Sequence, residues 1–457
     1  MADTPQIADT SPHDWKYISE GGSTIVFSYT GPLHPQFDGT ALRLRKGPVS
    51  GREHTDTEQY QQPQLAETHD QGEEPDDPTI VFQSAVIERL VPRQFLPRLD
   101  AVRVERAWLQ QLAHLTEAQR PKERRAKDRI DTGRRKAVLA TDLVGGDGWA
   151  VEIKPKWGFL PARTHLSDET REIKTRTCRF CMHAHLKSTQ GEDVSLGYCP
   201  LDLFARDKAR VTRALHALWS VWLGSGAAVN NLRVFVQGRK LTPAADVPSL
   251  APLAAQLFPE ASHEGGPAHT PDEVRDAFTS ALLPLLLDTP VLRTLSTLQR
   301  TLDALDVEGL TALWARLRPA DAPELGEGEA DPDMAEWTRF VDTYLSRHPP
   351  RPESASASEA QTQTRTRAGP PAEADEDELR YQLQAYLLSA SFKDCSVILR
   401  MKPGQAVGQG TITVIDLDVK GIDRLAKWAK LDREIVDAYR GIPPRECVDA
   451  WAISALG

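Results

Sequence analysis

Along ALRLRK (41–46), Leu42 and Leu44 alternate with Arg43 and Arg45, the two-residue period of a half-buried strand. WKYISEGG and STIVFSYTG before it read as two further short strands, separated by glycine turns. The polar run SGREHTDTEQYQQPQLAETHDQGEEPDD then carries too little apolar surface to fold and is expected to be a disordered surface insert, about 50–78. VFQSAVIERLVPRQFLPRLDAVRVERAWLQQLAHL is mixed and ends in a helix with a basic face. KAVLATDLV (136–144) reads as a buried strand before the turn GGDG.

Beyond residue 161 the period lengthens to that of a helix. YCPLDLFARDKARVTRALHALWSVWLGS places leucine and tryptophan at helical spacing, with Asp202 near a helix start. The leucine-rich residues 270–318 predict two or three packed helices. The Pro-, Ala-, Ser- and Glu-rich stretches 319–335 and 349–378 read as linkers, the second disordered. A helix over LRYQLQAYLLSASF, strands over SVILRM and GTITVIDLDVK, and a final helical region follow. No internal repeat is present. The expected class is therefore α+β, with a smaller strand-rich N-lobe over 1–145 and a larger, mainly helical C-lobe over 146–457, a layout that suits a nucleotide between lobes.

Composition narrows the picture. The 457 residues suffice for two or three domains, and 40% hydrophobic with 26% charged residues is a soluble globular balance. No apolar run approaches the roughly 20 residues of a membrane span, so no membrane partner is expected. The opening MADTPQIADTSPHDW lacks the basic and apolar regions of a signal peptide. Five cysteines, an odd and small number, fit a reducing cytoplasmic or nuclear setting and a monomer without a disulfide frame. The net charge of −10 argues against nucleic acid bound over the whole surface, but the acid is concentrated in 66–78, 324–333 and 372–378, leaving room for a local basic site.

Several constellations carry candidate chemistry. In EIKPKWGFLP (152–161) the proline favours an extended chain, so Glu152, Lys154 and Lys156 would share one face. Two ammonium groups side by side call for an anion, whether Glu152, a ligand or water. EGGST puts Gly21 and Gly22 between two strands, either a plain hairpin turn or a cradle for phosphate. Asp416 and Asp418 at the end of TITVIDLDVK would present two carboxylates on one face, a solvated strand end or a Mg2+ site. Asp394 of KDCS precedes them, as a helix cap or as a general base. In TCRFCMHAHLK, Arg179, His183 and Lys187 fall at i, i+4 and i+8, and Lys420, Arg424 and Trp428 repeat that spacing. Cys178 and Cys181, with His183, His185 and the distant Cys199, raise zinc, but a lone CxxC is read as reduced, packed thiols. Arg120 lies in the basic run 119–136, a ligand site or a solvated loop. Asn230 and Asn231 offer amides that read phosphates or hydroxyls, or merely shape a turn.

In their order, EIKPKWGFLP, RFCMHAHLK, YCPLDLF, NNLRVF, KDCS and VIDLDVK resemble the inositol-pentakisphosphate 2-kinase family, and the inserts give the chain a fungal look. The resemblance runs from Gly21 to about Trp428. It implies a distant, two-lobed relative of protein kinases that moves the γ-phosphate of ATP to the axial 2-hydroxyl of inositol 1,3,4,5,6-pentakisphosphate, giving inositol hexakisphosphate (phytate). By the resemblance, Asp394 takes the hydroxyl proton, Asp416 holds Mg2+ with help from Asp418, and Arg43 meets the ATP phosphates. The 138–144 strand, with Asp142, would lie beside adenine. Lys154, Lys156, Arg179, His183, Lys187, Asn230, Asn231, Lys420 and Arg424 would hold inositol phosphates, Lys154 shared with the transferred group, and Arg120 would clamp substrate from the N-lobe. Five phosphates at roughly −1.5 to −2 each make a ligand near −7.5 to −10, which the basic stripes suit.

The chain departs from the family in three places. Plant members carry a Cys/His zinc site in the second half, whereas 319–349 here holds no cysteine and only His348. Trp428 stands where some members have tyrosine, and the glycine loop has only two adjacent glycines. Another inositol-phosphate kinase and a non-catalytic inositol-phosphate scaffold are the competing readings. Retention of Asp394, Asp416 and Asp418 speaks against the scaffold, and no RNP-like or KH pattern supports RNA binding.

Overall fold

The computed structural model describes residues 4–49, 73–244, 247–259, 269–318, 324–349, 376–402 and 408–450. The expected insert lies outside the described residues except at its edge, as does most of the second linker; the helix Glu376–Asp394 already begins inside that linker's expected bounds. The first linker is likewise shorter than expected, because the helix Met334–Arg347 opens within it on a capping box at Asp333.

Mixed α and β structure is organised on two antiparallel sheets. The first runs β1 (Trp15–Glu20), β2 (Thr24–Tyr29), β3 (Thr40–Pro48), β6 (Lys136–Thr141), β4 (Leu99–Arg103), with β5 (Asp128–Ile130) on the far end of β3. Leu42 and Leu44 turn inward as their alternation requires and pack with Trp15, Phe27, Trp108 and Leu112, the last two from the helix Arg106–Thr116. The second sheet runs β11 (Thr411–Ile415), β10 (Ser396–Met401), β7 (Trp149–Ile153), β8 (Leu232–Val236), β9 (Arg239–Lys240). Trp149, Val151 and Ile153 of β7 share a core with Trp219 and Phe278 of the helices behind, while Ala150 packs with Phe235, Ile398 and, from β1, Ile18. Residues 270–318 form three helices, Pro271–Asp288, Val291–Leu302 and Asp306–Leu317.

Arg120, which the resemblance implied as a substrate clamp, does not line the cleft in this structure. Its side chain is 1% exposed, and its guanidinium binds Glu20 at 2.9 Å and Asp128 at 2.6 Å. Lys46 completes the cluster, 3.1 Å from Glu20 and 2.8 Å from Asp128. Burial pushes the Glu20 carboxyl up, but Arg120 and Lys46 overcome it and hold it below its ordinary value. Arg120 therefore ties β1 to β5. Truncating it leaves two buried or half-buried carboxylates short of a partner, so Arg120→Ala should cost about 3–5 kcal/mol of stability. Denaturant unfolding checks this, and an unchanged midpoint would contradict the structural role.

Candidate functional site

A cleft of about 610 Å³ opens beside the second sheet and collects residues from six separate segments, one of them Asp193–Ser195. The chain leaving β7 brings Lys156 and Trp157. The helix Arg179–Thr189 brings Arg179, His183 and Lys187, the stripe predicted from their spacing. Asn230 and Asn231 enter from the turn before β8, and the C-terminal half of the helix Glu376–Asp394 supplies Tyr386, Lys393 and Asp394. Lys420, Arg424 and Trp428 close the wall, although they do not sit on one helix: the α-helix Leu425–Tyr439 starts only after a 3-10 turn at Ile422–Arg424.

At the cleft, Asp394 stands between two ammonium groups, 3.4 Å from Lys156 and 3.3 Å from Lys420. Burial raises its pKa, but Lys156, Lys420 and Lys154 together hold it below the usual aspartate value. Lys156 feels the reverse balance: burial lowers its pKa more than Asp394 raises it, and Lys154 lowers it further. The predicted shared face of Glu152, Lys154 and Lys156 fails for a backbone reason. Lys156 has φ +64, a left-handed turn that breaks the extended run. Glu152 does not orient the lysines either; it accepts from Arg233 at 3.0 Å and Ser396 at 2.9 Å.

The remaining cleft groups are pre-set for anions. Arg179 is held by Asp432 at 3.0 Å and lies 4.8 Å over the Trp157 ring. Asp432 also takes Lys174 at 2.8 Å, so one buried carboxylate serves two cations. Burial, with Arg179 and Lys187 nearby, pushes His183 down to about 4. The Asn231 amide nitrogen is buried without a hydrogen-bond partner, a donor that an anionic oxygen would satisfy.

A second group lies where the sheets face one another. β11 ends at Ile415, and Asp416 takes φ +60, so the two aspartates do not continue the strand's alternation as predicted. Burial raises the Asp416 pKa, Glu152 and Asp418 add to it, and Arg43 of β3 and Lys154 offset part. Crowded carboxylates of this kind fit a hard divalent cation shared with phosphate oxygens. Gly21 and Gly22 form a hairpin turn, with Gly21 N–H donating to Thr24 at 2.9 Å, and a side chain at either would meet open space. The Asp142 carboxylate caps its own turn, accepting from Val144 at 3.0 Å and Gly145 at 2.7 Å.

The sequence reading of three packed cysteines missed a fourth. Cys447, remote in sequence, brings its sulfur to 3.8 Å from both Cys199 and Cys181, and Cys178 lies 4.0 Å from Cys199. All four are buried, with sulfurs within 4.8 Å of one another. Tetrahedral zinc with Zn–S bonds of about 2.3 Å requires sulfurs about 3.8 Å apart, so the residues present fit the ion. The cluster sits at the foot of the helix carrying Arg179, whose N-cap is Cys178. Gln299, Lys393 and Asp432 were also missed, since their role appears only through partners distant in the chain.

The family model for inositol-pentakisphosphate 2-kinase matches residues 17–434. A protein of that name from Cryptococcus neoformans is 33% identical over 447 residues, covering 94% of both chains. Its namesake from Arabidopsis thaliana is 26% identical over 471 residues, covering 93% of both. On the whole-chain match, with the cleft built from the same segments, this chain belongs to the inositol-pentakisphosphate 2-kinase family.

Proposed function

We propose that the protein transfers the γ-phosphoryl group of ATP to the 2-hydroxyl of inositol 1,3,4,5,6-pentakisphosphate, giving the hexakisphosphate, in a two-lobed, protein-kinase-like arrangement with the first sheet in the N-lobe (1–145) and the second in the C-lobe. The observation that carries this reading is Asp394 between Lys156 and Lys420 in a cleft whose charged lining, apart from Asp193, is cationic. A carboxylate there repels a polyanion. A scaffold that only bound the ligand would do better without it, whereas a transferase needs an acceptor for the hydroxyl proton.

In this mechanism Lys156, Arg179, His183, Lys187, Asn230, Asn231, Lys420 and Arg424 hold the inositol phosphates and aim the 2-hydroxyl at Asp394. The hydroxyl oxygen forms its bond to the γ-phosphorus, the bond from phosphorus to the ADP oxygen breaks, and the proton passes to the Asp394 carboxylate. A depressed pKa suits this role. Phosphoryl transfer is loose, so the proton leaves late and the base needs to be ionised and aligned more than strong. Lys154 meets charge on the moving phosphoryl group, Arg43 the ATP phosphates, and the Gly21–Gly22 turn leaves room for them. Asp416 and Asp418 would hold Mg2+, which supplies charge neutralisation between the phosphates.

Asp394→Asn keeps the shape and removes the base. Turnover should fall by about 10²–10⁴-fold, while inositol pentakisphosphate binds as tightly or more tightly. Steady-state kinetics with calorimetric binding check this, and near-normal kcat would overturn the assignment.

Cys178, Cys181, Cys199 and Cys447 are proposed to hold a structural zinc ion that clasps the 447 segment to the foot of the substrate helix. Purified protein should contain one zinc per chain, and Cys447→Ser should lower that content and the melting temperature together. Protein that is metal-free as purified, and whose melting temperature Cys447→Ser leaves unaltered, would refute the clasp.

A further inference from the structure

The contact between Lys156 and Asp394 depends on a residue that does not line the cleft. Lys156 sits in a left-handed conformation, which is strained for a non-glycine residue and must be held in place. Gln299, fully buried on the helix Val291–Leu302, holds it. Its side-chain oxygen accepts from Gly158 N–H at 2.7 Å. Its side-chain nitrogen donates to the Lys156 carbonyl at 2.9 Å and to the Phe392 carbonyl at 2.8 Å.

Phe392 belongs to the last turn of the helix that ends at Asp394, where carbonyls lack helical partners. One amide thus binds the turn presenting Lys156 to the helix end presenting Asp394. The same helix face supports both halves again. Ser296 donates to the Gly158 carbonyl at 2.7 Å, and Asp303 takes the Lys393 ammonium at 2.6 Å. Gly158 itself admits no side chain, because a Cβ there would come within 2.9 Å of the Phe204 ring. Only a primary amide supplies two donors and an acceptor at this spot: a carboxylate cannot donate to two carbonyls, and an aliphatic chain takes a partner from the Gly158 N–H and from the Lys156 and Phe392 carbonyls, leaving Phe392 only the Cys395 thiol.

We propose that Gln299 is a positioning residue for phosphoryl transfer, setting the reach of Lys156 onto Asp394 and the reacting groups through the backbone of both. The inference rests on the proposed roles of Asp394 and Lys156. The consequence is kinetic, since misplacement of a reacting group by a fraction of an ångström lowers the rate without altering distant binding contacts.

The test is a double-mutant cycle of Gln299→Met and Lys156→Met, measured well below each melting temperature. Gln299→Met should lower kcat about tenfold with KM for ATP unchanged, and the double variant should be within about twofold of Lys156→Met alone. A folded Gln299→Met with wild-type kcat, or losses that multiply in the double variant, would overturn the proposal. Should Gln299→Met not fold, Ser296→Ala serves: it removes only the bond to the Gly158 carbonyl and should lower kcat about threefold, an effect absent when Lys156 is Met. An effect that persists there counts against the proposal. Active Asp394→Asn would instead overturn the underlying assignment, whereas inactive Asp394→Asn with uncoupled Gln299 and Lys156 would overturn this inference alone.

Discussion

Like charges must be held together before a polyanion arrives, and the rest of the cleft depends on how the fold does this. Arg179 leans on Asp432, Lys393 on Asp303, Lys187 on Glu192, and Lys156 and Lys420 share Asp394. Each carboxylate holds a cation in place while the ligand is absent. The deepest of them work inside the protein, where screening by water is weak and an unpaired charge is most costly. Lys174 shows the cost being met: it is buried, yet Asp306 and Asp432, at 2.5 and 2.8 Å, hold it firmly protonated.

The same constraint explains the two left-handed residues near the site. Lys156 and Asp416 both take positive φ directly after leaving neighbouring regions of the second sheet. Each abandons strand geometry where a charged side chain is redirected. Lys156 is supported by the Gln299 amide. The first sheet contributes by a different route: Arg43 of β3 reaches the field of Asp416, so the two sheets meet electrostatically at the carboxylates proposed for the metal.

Local patterns carried much of this in the sequence. Alternation placed Leu42 and Leu44 inward, and the i, i+4, i+8 spacing put Arg179, His183 and Lys187 on the wall of one cleft. What failed was whatever depended on a backbone turn or a distant partner. Extended-chain logic could not foresee the turn at Lys156, nor the end of β11 before Asp416. Arg120 sits in a basic run, and nothing there reveals its pairing with Glu20, a hundred residues earlier. Asp142 is taken by its own turn, and Cys447 joins a cluster whose other members lie far upstream. Carboxylates and thiols at long sequence separation leave no periodic trace, so pairing of this kind becomes visible only in the folded chain.

The central claim is that the cationic cleft presents one hydroxyl of a pentakisphosphate to Asp394. The most direct measurement incubates the protein with ATP, Mg2+ and inositol 1,3,4,5,6-pentakisphosphate and locates the new phosphate by phosphorus–proton NMR of the isolated product. The account predicts a single hexakisphosphate, its new group on the axial 2-position, formed with one ADP per transfer. ADP release without a phosphorylated inositol, or no turnover by a folded protein that binds both substrates, would contradict it.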